Sequence, residues 1–187
     1  MAGKHILLTG IPGIGKTTIV QRVCENLKKS GLLPQGFYTE EVRQGGRRIG
    51  FDVVCLNGER GPLARVSDFV CDSVVKGPKV GQYVVELSSF EKLALPALQS
   101  RQQGCSVIIL DEIGKMEMYS EHFKQAVRAS FNLNGVSILA TIPVAKGKPL
   151  PLVEELRNRK DVTIITVTRD NRESLVQEVT CLLLSTA

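Results

Sequence analysis

The run Gly10-Ile11-Pro12-Gly13-Ile14-Gly15-Lys16-Thr17-Thr18 directly follows the apolar Ile6-Leu7-Leu8 and precedes a stretch with helical apolar spacing. It constrains the fold more than any other part of the chain. Its GxxxxGK[ST] spacing is that of a phosphate-binding loop, a turn that joins a buried strand to the N-terminus of a helix. Glycine at 10, 13 and 15 frees the backbone so that successive N–H groups can curl around a β-phosphate. Lys16 is then placed to reach the β and γ oxygens as a catalytic group. Thr17 is placed to offer its hydroxyl to magnesium, and the helix aims the positive end of its dipole at the same phosphates. The motif therefore points to a bound nucleoside triphosphate with Mg2+.

A second anchor is Val107-Ile108-Ile109-Leu110-Asp111-Glu112, an apolar run with no alternation that ends in two adjacent carboxylates. Such a run fits a strand covered by helices on both faces of a parallel sheet. Downstream of a phosphate loop it reads as a Walker B strand ending beside that loop. Asp111 is the expected magnesium ligand, with Thr17, and Glu112 the expected general base that polarises the attacking water. A glutamate directly after the aspartate favours hydrolysis, because the base is supplied within the same chain.

Composition supports a compact α/β protein and excludes several alternatives. With 187 residues and 43% hydrophobic content, the chain can bury a core without disulfides or metals. Cys24, Cys55, Cys71, Cys105 and Cys181 are odd in number and show no CxxC pair, so they are expected to be reduced packing residues. The N-terminal apolar run is far too short for a signal sequence or a membrane span, and an intracellular, cytoplasmic protein without membrane contact is expected. A net charge of +5 is compatible with a nucleic-acid partner or with attraction of polyphosphate. Its densest groups are Arg43, Arg47 and Arg48 in one segment and Arg157, Arg159 and Lys160 in another, with Lys146 and Lys148 between. No aromatic residues interleave them as a base-stacking platform requires, so nucleic-acid binding is not favoured. His5 and His122 stand apart and are expected to be structural or surface groups.

Along the chain, strand and helix patterns alternate, which predicts right-handed crossovers and a mainly parallel sheet flanked by helices, in one domain over 1–187. A strand over 4–9 and a helix over 17–29 bracket the phosphate loop. A strand-rich extension follows over 36–87, with pieces at 37–39, 48–56 and 82–87 and a surface loop over 66–79. Ser88 and Glu91 stand at capping-box spacing for a helix to 101 with Leu93, Leu95 and Leu98 buried. Beyond the Walker B strand the pattern gives a helix over 120–131, a strand over 136–140, a short helix over 150–157, a strand over 162–167 and a last helix opened by Asp170 and Glu173. Thr141 closes the 136–140 strand and is placed to sense the γ-phosphate or the attacking water if that strand neighbours the Walker B strand. Lys115 and Glu117 are candidates for the site mouth. Arg157 or Arg159 is a candidate for positive charge on the leaving phosphates, and sequence does not choose between them.

Several of these segments also carry a family likeness. The phosphate loop, Gly36-Phe37-Tyr38-Thr39-Glu40-Glu41-Val42-Arg43, Gly46-Arg47-Arg48-Ile49-Gly50-Phe51, Asp111-Glu112-Ile113-Gly114-Lys115-Met116-Glu117 and Arg157-Asn158-Arg159-Lys160-Asp161 together resemble the cancer-related nucleoside-triphosphatases and their archaeal and bacterial relatives. The resemblance covers nearly the whole chain and is weakest over 66–79. It implies a RecA-like P-loop fold and magnesium-dependent hydrolysis of ATP, GTP, CTP and UTP to diphosphate and phosphate. It also implies nucleotide-binding segments at Gly10 through Thr17 and at Val107, Ile108, Ile109, Leu110, Asp111, Glu112, Ile113 and Gly114, with a monomer expected. Two further functions stay open: a kinase passing the γ-phosphoryl to a nucleotide or small hydroxyl substrate, and a nucleotide-gated RNA-binding module.

Overall fold

A computed structural model describes residues 4–67, 77–99, 105–145 and 147–186. The apolar strand β1 (His5–Thr9) is buried throughout and leads through the phosphate loop into α1 (Lys16–Lys29). Ile19, Val20, Val23, Cys24 and Leu27 recur at helical spacing along α1 and form its buried face. Then come β2 (Gln35–Gln44), β3 (Arg47–Cys55), β4 (Arg60–Val66), β5 (Lys79–Val80) and β6 (Tyr83–Val85), and the helix α2 (Leu87–Gln99). The remainder alternates: β7 (Val107–Leu110), a 3-10 turn (Glu117–Tyr119), α3 (Glu121–Phe131), β8 (Ser137–Thr141), α4 (Pro151–Arg157), β9 (Val162–Thr166) and α5 (Arg172–Thr186).

The nine strands of the described residues join one sheet in the order β5-β6-β4-β3-β2-β7-β8-β1-β9. The strands β2, β7, β8, β1 and β9 are mutually parallel, as the alternating pattern predicts. The others continue the sheet from the outer edge of β2 in antiparallel sense, giving the extension its hairpins. The Walker B strand β7 does not lie directly against β1, because β8 is interposed. Consecutive residues of β7 feed two separate cores, which is why the run shows no alternation. Ile108 and Leu110 pack with α2, α3 and α4 on one face, and Val107 and Ile109 with α1 and α5 on the other.

Local differences from expectation have identifiable causes. Strand β2 runs on to Gln44, well past 39, since its charged second half pairs with β3 up to Gln44 and Arg47. The Ser88–Glu91 capping box is not made: α2 begins at Leu87, and Glu91 instead accepts from the Ser120 hydroxyl at 2.5 Å, with His122 Nδ1 at 3.3 Å. Phe90, Ala94 and Leu98 form the buried stripe of α2, while Leu93 and Leu95 are half-buried. Ser120 caps α3 by accepting from the Phe123 N–H at 3.0 Å. The start of α5 is organised by Thr168 and Asn171, whose side chains bond each other's backbone N–H, and not by Asp170. Cys24, Cys55 and Cys105 are buried, whereas Cys181 is exposed and is no packing residue. Cys71, Arg101 and Lys146, and most of the 66–79 segment, lie outside the described residues. Among the described residues no helix is long and apolar enough to cross a membrane.

Candidate active site

The C-terminal ends of the parallel strands gather the chemistry, as they do in open α/β sheets generally. The loop after β1 is held from below by Ile14, which packs into the α1–α5 core, while Ile11, Pro12 and Gly13 face outward. Gly13 and Gly15 adopt φ of 77° and 110°, in the left-handed region that side chains avoid, so the loop can double back before α1. Gly15 occupies the N-cap position of α1 without a side-chain cap, and the first turn holds no acidic residue. The amide groups and dipole of this end are therefore not neutralised by the chain itself, which suits them to a polyphosphate. The Lys16 side chain folds back over the loop, its Nζ donating to the Gly10 carbonyl at 2.9 Å.

Asp111 follows β7 and is only 1% exposed. One of its oxygens accepts from the Thr141 hydroxyl, and the other, Oδ2, is buried with no hydrogen-bond partner. Burial pushes its pKa up, opposed by the Thr141 and Thr17 hydroxyls, the Lys16 charge and the Thr39 backbone N–H. A buried carboxylate oxygen with no hydrogen-bond donor, close to the Thr17 hydroxyl, is a fitting place for a divalent cation, because hard oxygen ligands match magnesium. The two elements meet because β8, between β1 and β7, ends in Thr141. Thr141 thus neighbours the Walker B strand as the conditional expectation required, but its hydroxyl is spent on Asp111.

Glu112 is half-buried, and its pKa is raised by burial and by the Asp111 charge, with Lys16 pulling the other way. Lys115 points outward and helps line a small cleft with Pro143, Lys148 and Glu154. Glu117 turns inward: it is 4% exposed and accepts from the Gly114 N–H at 3.1 Å. A β-carbon at Gly114 would lie 2.8 Å from Glu112 Oε1 and 3.1 Å from Glu117 Oε2, so glycine there lets both carboxyls close on one point. The depth of Glu117 is the feature sequence reasoning missed, since no apolar period marks a carboxyl buried by a tight turn. Burial, and then the Glu112 charge, push its pKa from 4.5 up to about 8.

That shift makes a stability prediction. The native chain binds this proton more tightly than the unfolded one, so the contribution of Glu117 to stability is full below about pH 4.5, falls as pH rises to about 8 and is lost above. Glu117→Gln keeps an acceptor for Gly114 but removes the titration. Measured by urea unfolding at pH 5 and pH 8.5, the parent should lose a few kcal/mol more than the variant between the two. Equal losses would show that Glu117 is not the titrating group.

The other charged candidates divide cleanly. Arg43 and Arg48 both pair with Glu41 at 2.7 Å, and Arg48 also covers the Phe51 and Tyr83 rings. Arg159 pairs with Asp161 and lies over Phe131, at the start of β1, where the His5 N–H bonds the Asp161 carbonyl. Arg157 lies at the other end of the same strand, by Thr9 and Pro143. His5 is fully buried, with its pKa lowered to about 4 by desolvation, and His122 is on the surface, so both are remote from the site. Burial pushes the Cys24 thiol up to about 12 and Cys55 up to about 11, which leaves neither as a nucleophile.

Comparison with known proteins agrees with this geometry. The family model described as NTPase matches residues 5–180. The cancer-related nucleoside-triphosphatase of Homo sapiens is 56% identical over 183 residues, spanning 95% of this chain and 96% of that protein. The solution structure of a human cancer-related nucleoside triphosphatase superposes with a TM-score of 0.84 at 52% identity, covering 98% of each chain. The crystal structure of THEP1 from Aquifex aeolicus gives 0.78 at 36% identity, covering 96% of this chain and 98% of that one.

Proposed function

The chain belongs to the NTPase family and is a nucleoside-triphosphatase, and from that premise we propose that it hydrolyses ATP, GTP, CTP and UTP to diphosphate and phosphate with Mg2+. The observation that carries the reading is the unpartnered, buried Asp111 Oδ2 placed with Thr17 and Lys16 at the end of the sheet. We read residues 1–187 as one domain, because a single sheet runs from β1 to β9. A cytoplasmic monomer without a nucleic-acid partner is the simplest form of this proposal.

Each residue has a distinct task in it. The backbone of residues 10–17 and the N-terminus of α1 seat the β-phosphate, and Lys16 leaves the Gly10 carbonyl to bond the β and γ oxygens. Thr17 and Asp111 would hold magnesium, which would neutralise charge on the β and γ oxygens. Thr141 fixes the rotamer of Asp111 by donating to it. Glu112 accepts a proton from water as the water attacks the γ-phosphorus, and its raised pKa brings it closer to the operating pH, where a base works best.

Phosphate release from the four triphosphates with no added acceptor, titrated with magnesium, tests the reading and separates hydrolysis from transfer to a second substrate. The same titration on Asp111→Asn should show a lower rate together with a higher magnesium requirement. A defect indifferent to added magnesium, with normal metal affinity, would take Asp111 out of the metal shell.

A further inference from the structure

Arg157 occupies an unusual place for a cation at the end of a short surface helix. Its Nη2 donates to the Pro143 carbonyl at 2.7 Å and lies 3.5 Å from the Thr9 hydroxyl, which itself donates to the same carbonyl at 3.2 Å. Thr9 is the residue before the phosphate loop, and Pro143 stands two residues past the Thr141 that holds Asp111. The guanidinium is thus braced between the two strand ends that carry the site. The side chain is 17% exposed, and its buried Nε makes no hydrogen bond, with only a loose ion pair to Glu154 at 3.6 Å. A mostly buried guanidinium with an unmet donor lowers stability, and an anion arriving beside it would complete its coordination.

Arg159 offers the contrast. Its donors go to both Asp161 oxygens, to Asn132 and to the Phe131 carbonyl, at the far end of β1. It has a complete structural role and no route to the phosphate loop.

We propose that Arg157 is the in-chain arginine of the reaction, held at the ends of β1 and β8 to meet the phosphate chain of a nucleotide seated on residues 10–17. This rests on the nucleoside-triphosphatase reading above. In the step it serves, the water oxygen bonds the γ-phosphorus, the bond from that phosphorus to the β–γ bridging oxygen breaks, and the bond pair stays on the diphosphate. The proton of the water passes to Glu112. Negative charge grows on the bridging and γ oxygens, and a planar guanidinium fork is shaped to take it.

The test compares Arg157→Ala, Arg157→Lys and Arg159→Ala with the parent in phosphate release and in binding of ADP with aluminium fluoride and magnesium, a mimic of the transferring phosphoryl. For Arg157→Ala, kcat should fall about a hundredfold to a thousandfold while KM for Mg-ATP moves less than about threefold. The aluminium fluoride complex should be lost with Mg-ADP binding retained, and millimolar guanidinium ion should restore part of the rate. A brace alone would not weaken the mimic selectively. Arg159→Ala should keep kcat within about threefold. An Arg157→Ala protein with more than about a third of the parental kcat and normal capture of the mimic would overturn the proposal. Should Arg157→Ala not fold, Arg157→Lys decides, because it keeps the charge but not the fork: at least a tenfold loss for the mimic is expected, roughly 1.4 kcal/mol, and parental affinity would overturn the assignment. A parent that releases no phosphate from any triphosphate would instead overturn the nucleoside-triphosphatase reading, and this proposal with it.

Discussion

Replacing Lys16 with alanine should nearly abolish hydrolysis, with kcat/KM falling by at least about a thousandfold, while the protein stays folded. Lys16 is 9% exposed and its ammonium is held to the Gly10 carbonyl at 2.9 Å, so it is already poised over the loop that would seat the phosphates. Its loss removes one charge-assisted hydrogen bond, worth about 1.5–3 kcal/mol, from a fold whose stability is typically 5–15 kcal/mol. The fold can bear that. Chemistry cannot, because no other cation sits within the loop between Gly10 and Thr17, and the γ-phosphoryl loses both its anchor and its nearest positive charge. The assay is phosphate release alongside calorimetric binding of the triphosphate, with circular dichroism confirming the fold. A folded variant that still turned over at the parental rate would detach the loop from the active site.

Lys16 and Asp111 were readable from sequence because each belongs to a contiguous pattern whose physics is local: a glycine turn between strand and helix, and a strand buried on both faces. What placed them together was not readable in the same way. That β8 lies between β1 and β7 depends on how α3 and α4 pack across the sheet, and no residue of Ser137–Thr141 states its neighbours. Sequence points the Thr141 hydroxyl at the γ-phosphate or the attacking water, and the assembled sheet gives it to Asp111 instead. The second half of β2 falls outside the piece expected at 37–39 because a strand in an outlying antiparallel layer can leave charges exposed along it, which breaks the alternating pattern. Arg157 and Arg159 are two positions apart in sequence, yet the turn after α4 sends one guanidinium to Thr9 and the other to Asp161, at opposite ends of β1. Glu117 stayed hidden for a related reason: the 3-10 turn swings a residue of surface type inward onto Gly114.

Glu112→Gln probes the mechanism itself, since it preserves size and hydrogen bonding while removing the lone pair that accepts the proton from water. Asp111 and Glu112 are adjacent but stand in different surroundings. Asp111 is held by Thr141 and faces Thr17, whereas Glu112 is half-buried by Gly114 and close to Glu117, with Asp111 as its main charged neighbour raising its pKa. If Glu112 is the base, binding survives its neutralisation and only the chemical step slows, because the metal and phosphate contacts belong to other residues. Positioned bases contribute about a hundredfold to ten-thousandfold, so kcat should drop by that factor with triphosphate affinity near normal and intact ATP retained on the protein. Removal of the negative charge should also ease the burden on Glu117, whose proton Glu112 helps to hold, and so lower the pH at which Glu117 ionises. A rate within about threefold of the parent would mean that another group orients the water. Collapse of magnesium and triphosphate binding together would place Glu112 in the metal shell beside Asp111.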